Sequence, residues 1–199
     1  MNLTESKYAV SYEREMRKIF SESESDILWQ AAEEMFQTLL KENPGQPEAV
    51  ARHTHISIFP AIAVYKAIAA KYPDKAMPVL ENGAAAISGQ AGENYARLLK
   101  LPGMKFIFMK IFSKGVRKGF GPEAGFAHEF ITDSGKTLAF NVNKCPYQYY
   151  CEKYDCRELV PIFCKNDEYA YGNLPHIRFI RTQTLGTGGS CCDFKFERC

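Results

Sequence analysis

The sequence has no long apolar run and no strong excess of one charge. No run approaches the roughly 18 residues that a membrane-spanning helix needs, and the first residues do not resemble a secretion signal. Its 25 Lys and Arg against 23 Asp and Glu are scattered and give a net charge of +2, which argues against a nucleic-acid partner. We therefore expect a cytoplasmic protein that binds a small-molecule substrate, with neither nucleic acid nor a membrane as partner.

The sequence also contains no linker, since no long Pro-, Gly- or Ser-rich segment divides the chain. With 46% hydrophobic residues, the 199-residue chain can bury one sizeable core. The sequence predicts one domain over 1–199, with a mainly helical part over 1–122 and a sheet-bearing part over 123–199. A homodimer through an N-terminal helix is a further expectation, although no particular residue carries it.

Standard metal-binding spacings are absent too. The seven cysteines form no C-x-x-C pair and are not joined by a His-x-x-x-His pair, so no common zinc or iron–sulfur pattern is matched. We expect no metal and no cofactor. An odd number of cysteines without a secretion signal also favours free thiols over a disulfide framework.

Helical periodicity fills the first part of the chain. The predicted helices cover about 8–20, 28–40, 60–72, 74–99 and 102–118. Pro47 suits the first turn of another helix, and Pro60 should kink or restart it. The segment Phe106–Phe112 and its surrounding lysines would suit a membrane surface, but it is apolar nearly all round, which favours a buried helix.

The pattern changes after residue 122. Strand-like runs at 128–132 and 137–142 flank a turn-rich break and predict a hairpin. The later predicted elements are short helices over about 147–155 and 157–165 and strands over 177–184 and 192–197. Helices first and strands later indicate an α+β fold, in which an N-terminal helical layer packs on a small antiparallel sheet of about four strands.

All seven cysteines lie between residues 145 and 199. Cys151 and Cys156 fall in predicted helices and suit packing. Cys145, Cys164 and Cys192 carry more weight as chemical groups. Cys145 precedes a helix start, where unpaired backbone N–H groups lower the pKa of a thiol, although a buried inert thiol is an open alternative.

Several of these elements resemble the L-2-amino-thiazoline-4-carboxylic acid hydrolase family. The matching elements are Asn141-Val-Asn-Lys-Cys-Pro146, Cys164, Asp167, Arg181-Thr-Gln-Thr184, Gly188, Cys192-Asp-Phe194 and the His…Pro…Ala…Tyr stretch from His55 to Tyr65. The resemblance covers most of the chain and implies a bacterial hydrolase. It also implies that a cyclic amidine, a 2-aminothiazoline carboxylate, is opened to a carbamoyl-cysteine.

That reaction needs a nucleophile on one side of the electrophilic carbon and acid assistance to nitrogen on the other. Cys145 or Cys192 is the predicted nucleophile. Because Cys192 and Asp193 are successive strand residues that point to opposite faces, Cys145 with Asp193 is the better catalytic pair. Activated water with Asp193 as base is the alternative mechanism.

Arg181 is the predicted partner of the substrate carboxylate, since its fork binds a carboxylate with two hydrogen bonds. An internal salt bridge with Asp167 is the alternative. The other predicted substrate-binding residues are Asn141, Asn143, Thr182, Thr184 and His55. His53 and His55 are two apart on a helix, so at most one of them faces a site.

Two further functions stay open on the sequence alone. The layout is also similar to small-molecule-binding domains of the 4-vinyl reductase type, which need only a pocket with a few polar groups. A metal bound by thiolates is the third interpretation, and the cysteine spacing supports it only weakly.

Overall fold

The structure, a computed structural model, describes residues 1–199 and contains eight α-helices and four strands. The helices are α1 (Lys7–Met16), α2 (Glu22–Glu42), α3 (Glu48–His53), α4 (Phe59–Ala69), α5 (Pro73–Leu99), α6 (Met104–Gly119), α7 (Pro146–Lys153) and α8 (Val160–Tyr171). The strands are β1 (Ala127–Asp133), β2 (Thr137–Lys144), β3 (Ile177–Ile180) and β4 (Cys192–Arg198). They form one antiparallel sheet in the order β1-β2-β4-β3, so the predicted α+β class and its four-stranded sheet are confirmed.

The third strand is shorter than predicted. It ends at Ile180 instead of continuing to residue 184. The reason is Asp193 on β4, whose carboxylate accepts hydrogen bonds from the N–H groups of Thr182 at 2.9 Å and Gln183 at 2.8 Å. A side chain therefore takes the place of backbone pairing, and the chain leaves the sheet.

The irregularity expected at Pro60 is a π-helical turn over Thr54–Ile58, which joins α3 to α4. Pro60 has no N–H to donate to the carbonyl of Ile56. That carbonyl instead accepts a hydrogen bond from the Ser6 hydroxyl at 2.7 Å. The first turn of α1 is thereby tied to this helix, and π-turns of this kind often occur beside functional sites.

Helices α1, α2, α4 and α5 enclose a first hydrophobic core. Tyr12, Phe36 and Ile62 are fully buried in it. α1 lies very close to α5 because α5 has Gly83 at the contact, where an added Cβ would lie 2.5 Å from Cδ1 of Tyr12. A second core, between α6 and the sheet, includes Phe140 and Phe196. The two cores meet at α7 and α8.

Helix α6 is not buried all round, and that prediction is wrong. Phe108, Met109 and Val116 face the sheet, but Ile107 and Ile111 keep 50% and 58% of their surface exposed. The apolar residues of α6 occupy two faces of the helix, and the sheet covers only one of them. None of the helices has both the length and the apolar character needed to cross a bilayer.

Candidate active site

A cavity of about 220 Å³ lies between the helices and the sheet. Alternate residues of β2 and β4 face it, so Phe140 and Val142 line the cavity together with Cys192, Phe194 and Phe196. Most of the wall is apolar. Its other polar or thiol-bearing residues are Lys7, Tyr8, Ser57, Ser88, Tyr95, Cys145, Tyr147, Cys164, Asn166, Asp167 and Tyr171. Such a wall suits a small ligand held by a few polar groups.

Three thiols reach this cavity from three elements. Cys145 precedes α7 directly after β2, Cys164 lies on α8, and Cys192 begins β4. The Sγ atom of Cys192 accepts a hydrogen bond from the Leu185 N–H at 3.3 Å. The adjoining loop approaches α8 closely because it has Gly186 there, where an added Cβ would lie 2.7 Å from Sγ of Cys164.

Burial governs the protonation of these thiols. It raises the pKa of Cys145 to about 12, although the backbone N–H groups of Gln148 and Tyr147 favour the thiolate. The expectation that the helix start lowers this pKa is therefore wrong, because desolvation outweighs the helix end. Burial also raises the pKa of Cys192, to about 11, and that of Cys164. No group of three or more His, Cys, Asp or Glu side chains is arranged to hold a metal ion.

Asp167 is the carboxylate on the cavity wall. It lies on α8, and 29% of its side chain remains accessible. Burial raises its pKa to about 7, although the adjacent Arg181 opposes this shift. At neutral pH this carboxyl group is therefore close to the point where it exchanges its proton, as an acid–base catalyst requires.

Arg181 forms a salt bridge with Asp167 but does not itself line the cavity. Its guanidinium donates to Oδ2 of Asp167 at 2.8 Å and to Oε1 of Glu168 at 2.7 Å. Only 4% of the Arg181 side chain is accessible. Two protein carboxylates thus occupy the fork that was expected to bind the substrate, and the salt bridge weighed as the alternative is present.

Asn166 adjoins Asp167 and presents a free polar group. Its Oδ1 atom is buried without a hydrogen-bond partner, and the residue lines the cavity. Buried polar atoms without partners are rare in folded proteins. Asn166 therefore places an unpaired carbonyl oxygen in the wall beside the cavity.

Asp193 lies away from the cavity. Besides the two N–H groups, it accepts a hydrogen bond from the Thr182 hydroxyl at 2.5 Å. Burial opposes ionisation here, but these hydrogen bonds hold the pKa of Asp193 below its usual range. Strand alternation thus separates it from Cys192, as expected, and from Cys145, which was not expected. The other predicted residues that do not line the cavity are Asn141, Asn143, Thr182, Thr184 and His55.

His53, and not His55, reaches the cavity wall through a tyrosine. Nε2 of His53 lies 2.7 Å from the Gly119 carbonyl, and Nδ1 lies 3.0 Å from the Tyr147 hydroxyl. A carbonyl only accepts, so Nε2 donates, and Nδ1 of the neutral ring accepts from Tyr147. Burial lowers the pKa of His53 although the Gly119 carbonyl opposes this, which fits the neutral form.

A model of the L-2-amino-thiazoline-4-carboxylic acid hydrolase family matches residues 51–196. The chain belongs to this family. It is therefore a hydrolase by family, with Cys145, Cys164, Cys192 and Asp167 all inside the matched range. A search of curated proteins and a search of solved structures each found no match.

The hydrolase cavity also uses residues outside the matched range. Lys7 and Tyr8 on α1 line it, although the family match begins only at residue 51. Sequence reasoning missed both, because their position depends on the packing of α1 against α5. Asp167 was noted only as a family residue and a partner of Arg181, and Tyr147 gave no signal beyond its place after Cys145 and Pro146.

Proposed function

We propose that this hydrolase opens a small cyclic amidine bearing a carboxylate, of the 2-aminothiazoline type, to a carbamoyl-cysteine product. Family membership supports the hydrolytic reaction. The observation that carries the proposal is that Cys145 and Asp167 line one small, mostly apolar cavity in a chain of this family. Net reaction consumes one water molecule and needs no cofactor.

Cys145 is the proposed nucleophile. Its thiolate attacks the carbon between the two nitrogens and the sulfur, the bond from that carbon to the ring sulfur breaks, and the freed sulfur takes a proton. Water then attacks the same carbon, and the thiolate leaves. Since burial raises the pKa of this thiol, a base must remove its proton when substrate is bound. A cationic amidinium in the cavity would help, because opposite charge stabilises the thiolate.

Asp167 is the proposed base and proton carrier, in place of Asp193. Its raised pKa suits a group that takes a proton from the thiol and returns it to the leaving atom. It also faces the cavity, where its negative charge would pair with the amidinium. Asn166 adds a polar group beside it, and Cys192 remains the second candidate nucleophile.

Lys7 is the proposed partner of the substrate carboxylate. It lines the cavity from α1, its side chain is exposed, and no protein carboxylate forms a salt bridge with it. Arg181, by contrast, is already held by two carboxylates. A substrate carboxylate at the rim would place the ring among the aromatic residues and its amidine towards Asp167.

Turnover of 2-amino-thiazoline-4-carboxylate by the purified chain tests the proposal. Cys145→Ser should abolish turnover while binding, measured by calorimetry, is retained. Cys199→Ser is the matched control, because Cys199 is exposed and does not line the cavity. Acid quenching during turnover should trap an adduct on Cys145 that mass spectrometry detects.

Two results would decide against parts of this mechanism. Full activity in both Cys145→Ser and Cys192→Ser would eliminate covalent catalysis and leave water activated by Asp167. Binding without turnover of any cyclic amidine or amide by the wild type would eliminate the enzyme and leave a small-molecule-binding protein.

A further inference from the structure

Charge along the chain is unevenly distributed around α6. Residues 94–122 contain seven of the 25 Lys and Arg and none of the 23 Asp and Glu. The rest of the chain is therefore net negative by five charges, although the whole carries only +2. Arg97 and Arg117 form salt bridges with Glu93 and Asp133, so the lysines carry the remaining excess, which attracts anionic partners.

The outward face of α6 combines this charge with apolar side chains. Ile107, Ile111, Lys110, Lys114 and Lys118 follow helical spacing and are all exposed. None of these lysines forms a salt bridge. The charge of Lys118 makes a minor contribution to the lowered pKa of Glu48, whereas Lys110 and Lys114 have no carboxylate partner. Helices that lie in a membrane interface combine apolar side chains, which insert, with lysines or arginines that contact the lipid headgroups.

Other exposed apolar residues extend the same surface. Leu101, just before α6, is 55% exposed, and Phe106 is 57% exposed. With Ile107 and Ile111, four large apolar side chains are thus at least half exposed within residues 101–111, and exposed apolar surface concentrated in this way marks interaction sites. We call these four residues and the three lysines of the outward face the α6 surface.

We propose that the α6 surface docks this protein on the surface of an anionic lipid bilayer. Ile107 and Ile111 would insert among the acyl chains, and the lysines would contact lipid phosphates. A second copy of the chain is a poorer occupant, because a two-fold contact would bring like charges together. Nucleic acid is also poorer, because its phosphates offer nothing to the exposed isoleucines and Phe106.

The proposal is independent of the hydrolytic mechanism, but it predicts where the cavity lies relative to the bilayer. The inner side of α6 contributes Phe112 and Val116 to the cavity wall, and Phe120 follows directly. Docking would therefore bring the cavity close to the bilayer. The sequence argued against a membrane partner because no apolar run is long enough to span a bilayer and because this helix was expected to be buried all round. The first reason does not apply to a helix that lies on the bilayer surface, and the second is wrong.

Vesicle co-sedimentation of the full chain tests the proposal. The protein should bind vesicles of phosphatidylcholine and phosphatidylglycerol, bind pure phosphatidylcholine poorly, and dissociate as salt rises. Lys110→Gln with Lys114→Gln should weaken partitioning about thirtyfold. Ile107→Ser with Ile111→Ser should weaken it about tenfold.

Matched controls lie elsewhere on the surface. Ile27 on α2 is 60% exposed, and Lys75 on α5 is exposed, so Ile27→Ser and Lys75→Gln should leave binding unchanged. Circular dichroism checks that each variant is folded. The proposal is overturned if wild type does not bind anionic vesicles at low salt. It is also overturned if the isoleucine variants bind them as wild type does, which points to a soluble polyanion such as DNA. A dimer in sedimentation velocity that Ile107→Ser with Ile111→Ser dissolves would overturn it in favour of a second copy.

Discussion

Two groups of cysteines in this molecule differ in what surrounds them. Cys151 and Cys156 are fully buried in the first core, and Sγ of Cys156 donates to the Cys151 carbonyl at 3.4 Å. Cys145, Cys164 and Cys192 instead line the cavity, which is also lined by the carboxyl group of Asp167. All five lie in the same 50-residue stretch, so their spacing alone does not separate packing from chemistry.

The difference lies in access to the cavity more than in burial. Cys192 is only 7% exposed, yet it faces the cavity, whereas Cys151 has protein on every side. A thiol inside a packed core has no room for a reacting carbon next to its sulfur. A thiol at a cavity has that room, and in the proposed mechanism Asp167, which also lines the cavity, accepts its proton.

Of the predicted changes, replacing Asp167 beside the cavity cysteines should have the largest effect on activity. Asp167→Asn should lower kcat about a thousandfold, because the amide cannot take the thiol proton. Glu168→Gln is the matched control, since Glu168 also binds Arg181 but does not line the cavity. Steady-state kinetics of both variants checks this, and equal losses would reduce the role of Asp167 to holding Arg181.

The pH dependence should sharpen the same contrast. Between the usual pKa of an aspartate, about 4, and its folded pKa of about 7, the folded chain binds more protons at Asp167 than the unfolded chain. Its contribution to stability is therefore complete below about pH 4 and is lost as pH rises through 7. Over the upper part of this range kcat/KM should rise, about fiftyfold between about pH 5 and pH 7. Activity and denaturant unfolding should thus change in opposite directions, and Asp167→Asn should remove both trends.

Replacing a cysteine of the first core, such as Cys151, should change only the stability of the protein and not its activity. Cys151→Ser buries a hydroxyl in the first core and should lower the free energy of unfolding by about 2 kcal/mol without changing kcat. Cys164→Ser is the comparison, since this helical cysteine borders the cavity and should cost less than about 1 kcal/mol. Urea unfolding of both variants measures the difference. Equal losses of stability would mean that a hydroxyl is no better tolerated beside the cavity than in the packed core.

The features of this fold that could be predicted from the sequence are those set by local residue patterns. Periodicity and turn residues indicate α1, α2, α5, the β1–β2 hairpin and the α+β class. Strand alternation likewise predicts that Cys192 and Asp193 face opposite sides of the sheet. These features depend on neighbouring residues, and the sequence contains them directly.

The remainder of the site depends on contacts between distant segments. Asp193 holds residues 182 and 183, and Arg181 binds Asp167, so two groups assigned to the substrate are used by the fold itself. Desolvation likewise reverses the pKa shift expected at Cys145. Lys7 reaches the cavity from α1, which packs closely on α5 at Gly83. No local pattern reports such pairings.

Lys7 offers a smaller test at the rim of the same cavity. Lys7→Met should raise KM about fivefold and leave kcat nearly unchanged, because an exposed charge contributes about 1 kcal/mol to binding an anion. Lys7→Arg keeps the charge and should restore most of the affinity. If Lys7→Met binds substrate as wild type does, the carboxylate is held elsewhere, and Asn166 becomes the next residue to replace.

The smallest effect is expected at Asp193, which the sequence paired with Cys145. Asp193→Asn keeps an oxygen for the N–H groups of Thr182 and Gln183 but loses the charge that strengthens these hydrogen bonds. We expect a loss of about 1 kcal/mol in stability and an unchanged kcat, because the side chain points away from the cavity thiols. Unfolding and kinetics on the same preparation separate the two. A large fall in kcat with stability retained would return Asp193 to the catalytic pair and would mean that the chain beyond β3 rearranges when substrate binds.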